Sequence, residues 1–133
     1  YAIMKFLDIK KCSDIGLFKQ DLQDKVNEVW ASDESSDVIK LNLPSSIREV
    51  CFIYLSKDYS QDYEETGRYL SSEDNMFFYP LGSSCSGMES FALEHINIEK
   101  ITERKNPYCI KNINGKVEMK IEKGFYDKLV KIS

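Results

Sequence analysis

The chain has 133 residues, with 18 basic and 22 acidic side chains, one His, four Cys, three Pro and one Trp. That length can bury a real core, and a hydrophobic fraction of 42% with 12% aromatics excludes a disordered chain. A net charge of -4 excludes a global basic footprint for nucleic acid, and no window reaches the about 18 apolar residues of a membrane-span candidate. A single globular domain over 1–133 is expected. A start at Tyr1, not Met, points to processing or excision. Residues 1–12 form a lead-in, in which YAIMKFLDI (1–9) reads as the outer stub of a removed membrane anchor or as a first turn or edge strand.

Residues 13–30 carry the clearest helical pattern. Ile15, Phe18, Leu22, Val26 and Val29 recur at steps of three and four and make one apolar stripe, which Leu17 and Trp30 widen. Ser13 and Asp14 are the candidate caps, because their side-chain oxygens can accept from orphan N–H groups of a first turn. After ASDESSD (31–37) the period changes toward two, and 38–132 reads as β-rich. VIKLNLP (38–44) alternates as a half-buried strand ended by Pro44. IREVCFIYL (47–55) is apolar on both faces and predicts a central strand. Further strands are expected in 75–81, 90–98, 107–113, 116–122 and 128–132. Asn114-Gly115 suits the positive φ angles of a type I′ turn, so 108–121 is predicted to be a hairpin. The expected fold is α+β: an N-terminal amphipathic helix packed on a mostly antiparallel β-sheet or β-sandwich of about seven short strands.

Cys12, Cys51, Cys85 and Cys109 are widely spaced, and none stands at C-x-x-C spacing. That pattern disfavours a structural zinc site and favours two disulfides, although four Cys allow three connectivities. A Cys12–Cys51 bridge would fasten the helix to the sheet, and Cys85–Cys109 is then the natural second pair. Disulfides imply an oxidising compartment, extracellular or at the cell surface. No N-x-S/T glycosylation site occurs, which leaves the compartment open. No cofactor or metal site is expected.

Little reads as catalytic. In GSSCSG (82–87) the glycines are five apart, whereas a nucleophile elbow needs them four apart and followed by a helix. His95 is the only imidazole available as a base for Ser86 or Cys85, and its place in SFALEHINI reads as a packed or surface strand residue. The stretch 57–74 is the other unusual one. Asp58, Ser60, Asp62 and Glu64 alternate as in a calcium loop, but Tyr63 and Tyr69 stand where an EF-hand needs Gly and Glu. An acidic loop carrying Tyr59, Tyr63 and Tyr69 is the candidate partner site, with Asp58, Asp62 and Glu64 beside the rings, because Tyr buries area at low entropy cost and keeps a polar tip. Charge is polarised: residues 1–94 carry net -8 and residues 95–133 net +4. Such polarity could orient head-to-tail contacts between copies. The signs on Lys116, Glu118, Lys120 and Glu122 are mixed, as on a solvated strand face, so no nucleic-acid partner is expected.

The order Cys12, a helix ending in Trp30, IKLNLPSSI, EVCFI and YCIKNINGKVEMKI resembles uncharacterised archaeal membrane-anchored, pilin-like surface proteins, in their β-rich outer domain only. The resemblance implies a surface location, disulfides and a structural or adhesive role, with membrane attachment only through a missing N-terminal anchor. It carries no catalytic residues. The function expected is therefore a non-enzymatic, extracellular structural or interaction module, with a protein partner or self-association. An intracellular adaptor or regulatory domain with reduced cysteines is the alternative, and a hydrolase is the weakest reading.

Overall fold

The computed structural model describes residues 2–133, with side chains from Ile9 onward. The membrane-stub expectation for residues 1–9 falls almost wholly on side chains outside that range. None of the described helices is long and apolar enough to cross a membrane.

Helix α1 spans Ala2–Trp30. The expected start at residue 13 is corrected: Ser13 and Asp14 lie inside the helix and cap nothing, because the lead-in continues the same helix. The stripe itself is as expected, with Ile15, Phe18, Leu22, Val26 and Val29 all buried. Leu17 and Trp30 do not widen it, and are 56% and 40% exposed.

Seven strands follow in two antiparallel sheets. Strands β1 (Ser35–Asn42), β6 (Lys116–Lys123) and β7 (Lys131–Ile132) form the first, in the order β1-β6-β7. The second has the order β4-β3-β2-β5, from β2 (Glu49–Phe52), β3 (Met76–Tyr79), β4 (Ser90–Phe91) and β5 (Tyr108–Lys111). This is the α+β architecture of one helix on β-structure. The main core is shared by α1 (Phe18, Leu22), by Val50, Phe52, Met76 and Phe78 of the second sheet, and by Val117, Met119 and Ile121 of β6. Phe18 meets Phe78 edge-on, with ring centroids 5.9 Å apart.

Because side chains alternate along a strand, β2 and β3 present a second face. There Cys51, Ile53 and Phe77 form a separate buried cluster under Leu55, Tyr59, Tyr63, Leu70, Tyr79 and Cys109. This double coverage explains the apolar run at 47–55. What covers the second face is the acidic stretch, which coils into a 3-10 turn (Gln61–Tyr63) and helix α2 (Glu64–Tyr69).

Three local expectations are corrected. Asn114 and Gly115 do take positive φ angles, 53° and 82°, and Ile113 and Lys116 exchange both backbone hydrogen bonds across them. The flanking strands nevertheless separate into different sheets. Strand β6 pairs with β1 along its whole length and with β7 at Ile121 and Glu122, while β5 pairs residue for residue with β2 across Glu49–Phe52. The turn is a corner between sheets. The expected strand 90–98 ends at Phe91. The Asn75 side chain accepts from Leu93 N and donates to Leu93 O, which takes up backbone groups a ladder would need. His95 then turns at φ 68°, and Asn97 caps the short helix α3 (Ile98–Ile101) through a hydrogen bond from Lys100 N.

The third correction is the disulfide pairing. Cys12 bonds Cys85, and Cys51 bonds Cys109. Cys51 and Cys109 face each other directly across β2 and β5, with Cα atoms 4.0 Å apart, so their side chains meet without any loop movement. Cys12 on α1 then takes Cys85 in the loop after β3. All four cysteines are paired. Two such disulfides fit an oxidising environment.

Candidate functional site

The stretch 57–74 is built on backbone clamps. Asn106 accepts from Tyr54 N through Oδ1 and donates from Nδ2 to Tyr54 O and Asp58 O. Its own carbonyl accepts from Ser60 N. Ser60 Oγ then accepts from Asp62 N and opens the 3-10 turn. These contacts fix where the three tyrosines fall.

Tyr63 points inward. Its ring lies edge-on to Phe77 and Tyr79, at centroid distances of 5.9 and 5.0 Å. Its hydroxyl lies 3.6 Å from Cys109 Sγ, which as a disulfide sulfur can only accept. Burial, with the nearby Glu49, Tyr79 and Asp62 adding to it, pushes the Tyr63 phenol above its usual value, so it is neutral at physiological pH. Tyr59 is half-buried in the same cluster, against Gly67 of α2. Of the three rings only Tyr69, 72% exposed at the end of α2, faces solvent. Asp58, Asp62 and Glu64 are exposed, and Glu64 is paired with Arg68 at 2.8 Å. These three carboxylates do not converge on a point a cation could occupy. Among the described residues the one such grouping is Glu49 with Cys51 and Cys109, whose sulfurs are in the disulfide.

Beside Tyr69 opens a cleft of about 370 Å³. Its walls include Tyr69, Leu70, Phe77 and Leu81, with Glu89 at the polar side. This volume lies within the range of about 300–1,000 Å³ typical of binding pockets. The sequence pointed to Tyr69, but it gave no sign that Leu81, twelve residues after the end of α2, would complete the wall. Only the β3 path from Met76 to Tyr79 and the turn beyond it carry Leu81 there.

The residues of a hydrolase are not brought together. Cys85 is bonded to Cys12 within the helix, and Ser86 is exposed. His95 is stacked on Trp30 at the C-terminal end of the helix. From Cys12 to Trp30 the helix runs about 27 Å, at about 1.5 Å per residue. No protein-family model, curated protein or solved structure matches the chain. The resemblance to pilin-like surface proteins therefore stands on the quoted motifs alone.

Proposed function

We propose that the chain is a non-enzymatic interaction module of the extracellular space or cell surface, which docks a protein partner on the α2 face and its cleft. The observation that carries this reading is the pairing of all four cysteines into two disulfides that join segments 73 and 58 residues apart. A chain with every thiol in a structural bridge belongs where thiols oxidise. The resemblance to archaeal, pilin-like, membrane-anchored surface proteins supports the same placement, with attachment through a segment preceding the outer domain. The docking face rests on the exposed Tyr69 above an apolar-walled cleft, held on a scaffold fixed by Asn106 and by the second core.

The test has two arms. Thiols are alkylated in intact source cells before lysis, and the protein is located by surface labelling. No free thiol and surface labelling are expected, whereas four free thiols and protection from the label overturn the placement in favour of an intracellular adaptor. In the second arm, oxidised labelled chain is titrated onto the same cells. Saturable binding that falls on Tyr69→Ser is expected; binding that ignores Tyr69→Ser removes the cleft as the docking face.

A further inference from the structure

The opposite end of α1 carries an exposed aromatic turn. Gly124–Asp127 closes on itself: Asp127 N donates to Gly124 O, and Gly124 N donates to the Asp127 carboxylate. The turn thus satisfies its own polar groups and leaves its two central side chains nothing to fold against. Phe125 is 63% and Tyr126 93% exposed, and the two rings meet edge to face at 5.1 Å. The base of the turn is fixed to the helix, since Trp30 Nε1 donates to Lys128 O and Lys123 Nζ donates to Trp30 O and Ser32 O. A rigidly mounted aromatic pair in water marks a contact site, because large rings presented at low entropy cost are the usual anchors of interfaces.

The surroundings say what it contacts. Among the described residues Lys128 and Lys131, beside the turn, are exposed and in no ion pair, and residues 95–133 sum to +4. The α2 segment, residues 57–74, sums to -4. Glu65, Glu73 and the cleft's Glu89 have no cationic partner among the described residues. The chain thus carries an aromatic knob in a basic field and an apolar-walled cleft in an acidic one. The two are tied to different stretches of α1: the knob to Trp30 at its C-terminal end, and the cleft through Leu81, four residues from Cys85, which is bonded to Cys12, eighteen residues before Trp30. A copy is not arranged to fill its own cleft.

We infer that the partner at the docking face is a second copy of this chain, whose Phe125–Tyr126 turn enters the cleft beside Tyr69 and Leu81. This inference rests on the cleft being the docking face. The contact joins unlike surfaces, so each copy keeps a free knob and a free cleft, and association continues into a ring or an open filament. The opposite charges steer the encounter and make it sensitive to salt.

Sedimentation velocity on the oxidised full chain tests it, with Tyr126→Ser and Leu81→Glu as surface variants on the two sides of the contact. Wild type is expected to associate with rising concentration, less so at high salt. Each variant should weaken self-association by roughly tenfold or more, as loss of a buried anchor does. The two variants mixed should form a one-to-one dimer and nothing larger, since one supplies the only intact cleft and the other the only intact knob. A wild type that stays monomeric, or a mixture that stays apart, overturns the inference. So does a monomeric wild type whose turn binds phosphatidylglycerol vesicles and loses them on Tyr126→Ser, which makes the knob a lipid contact. If the wild type is monomeric while cell binding still depends on Tyr69, the docking face stands and only the second copy falls.

Discussion

The imidazole of His95 lies flat on the indole of Trp30, with ring centroids 3.7 Å apart and planes 12° from parallel. His95 holds this position from a left-handed backbone at φ 68°, a conformation that costs a residue with a Cβ about 1–2 kcal/mol. Two effects therefore oppose each other at one residue. His95→Ala loses the stack and keeps the strain. His95→Gly loses the stack, relieves the strain and adds chain entropy to the unfolded state. Urea unfolding should find His95→Gly more stable than His95→Ala by roughly 0.5–1 kcal/mol. Trp30→Ala also loses the hydrogen bond to Lys128 O, and should cost about 1–3 kcal/mol. Equal stabilities for the Gly and Ala variants would remove backbone strain from this account.

The two disulfides differ in access. Cys51–Cys109 joins facing strands, with Cys51 fully buried and the Tyr63 hydroxyl 3.6 Å from Cys109 Sγ. Cys12 and Cys85 are both half-buried, and Cys85 lies in a loop. A thiolate reductant should therefore open Cys12–Cys85 first. Timed alkylation and peptide mass spectrometry read the order directly, and prior loss of Cys51–Cys109 would contradict the shielding by Tyr63. In the chain-entropy model, each bridge over its 73- or 58-residue span stabilises by about 4 kcal/mol. Loss of both removes about 8 kcal/mol, comparable to the whole of a typical domain's stability of about 5–15 kcal/mol. Full reduction should therefore leave a chain that unfolds at low urea.

How much of this was legible in the sequence depended on how local each cause was. The α1 stripe from Ile15 to Val29 follows from a 3.6-residue period, and every member is buried. The Asn114-Gly115 turn follows from two residues, and it forms. Which strands that turn joins does not follow from it, because the long-range pairings of β6 with β1 and of β5 with β2 decide it. The cysteine pairing is global in the same way: only the register that sets Cys51 opposite Cys109 selects among three connectivities. Tyr59 and Tyr63 looked like surface residues because their neighbours are acidic. The clamp that fixes their segment comes from Asn106, 48 residues beyond Asp58, so no local pattern announces it.

Lys25 on α1 reaches Asp37 on β1 at 2.5 Å, and holds the helix to the first sheet. The hydrogen bond from Lys25 holds the Asp37 carboxyl below its ordinary 3.8, and Asp37 in turn holds the Lys25 ammonium above its ordinary 10.5. A depressed carboxylate contributes stability that is present above 3.8 and lost as pH falls through its folded value. A raised ammonium contributes stability that is present below 10.5 and lost as pH rises through its folded value. Asp37→Asn should thus be less stable than wild type across the window between those limits. The difference should close well below 3.8 and well above 10.5, and shrink with salt because the Asp37 side of the pair is open to solvent. Urea titrations across pH measure it, and a difference that persists unchanged in acid would assign the effect to packing.

Gly67 supports the docking face through what it lacks. A Cβ at this position would lie 2.6 Å from Tyr59 Cζ and closer still to the hydroxyl, so the ring of Tyr59 can rest on α2 only because residue 67 has no side chain. Gly→Ala in a helix ordinarily stabilises by about 1 kcal/mol. Here Gly67→Ala must push Tyr59 out of the second core or lift α2, and a forced fit of that kind costs about 1–3 kcal/mol. The sign should therefore reverse with the background: Gly67→Ala destabilises wild type, yet stabilises a Tyr59→Ser variant in which the obstructing ring is gone. Urea unfolding of the four-member cycle gives the coupling directly. A Gly67→Ala gain in both backgrounds would show that α2 yields freely. It would also undo the claim that this segment is a rigid mount for Tyr69 and its cleft.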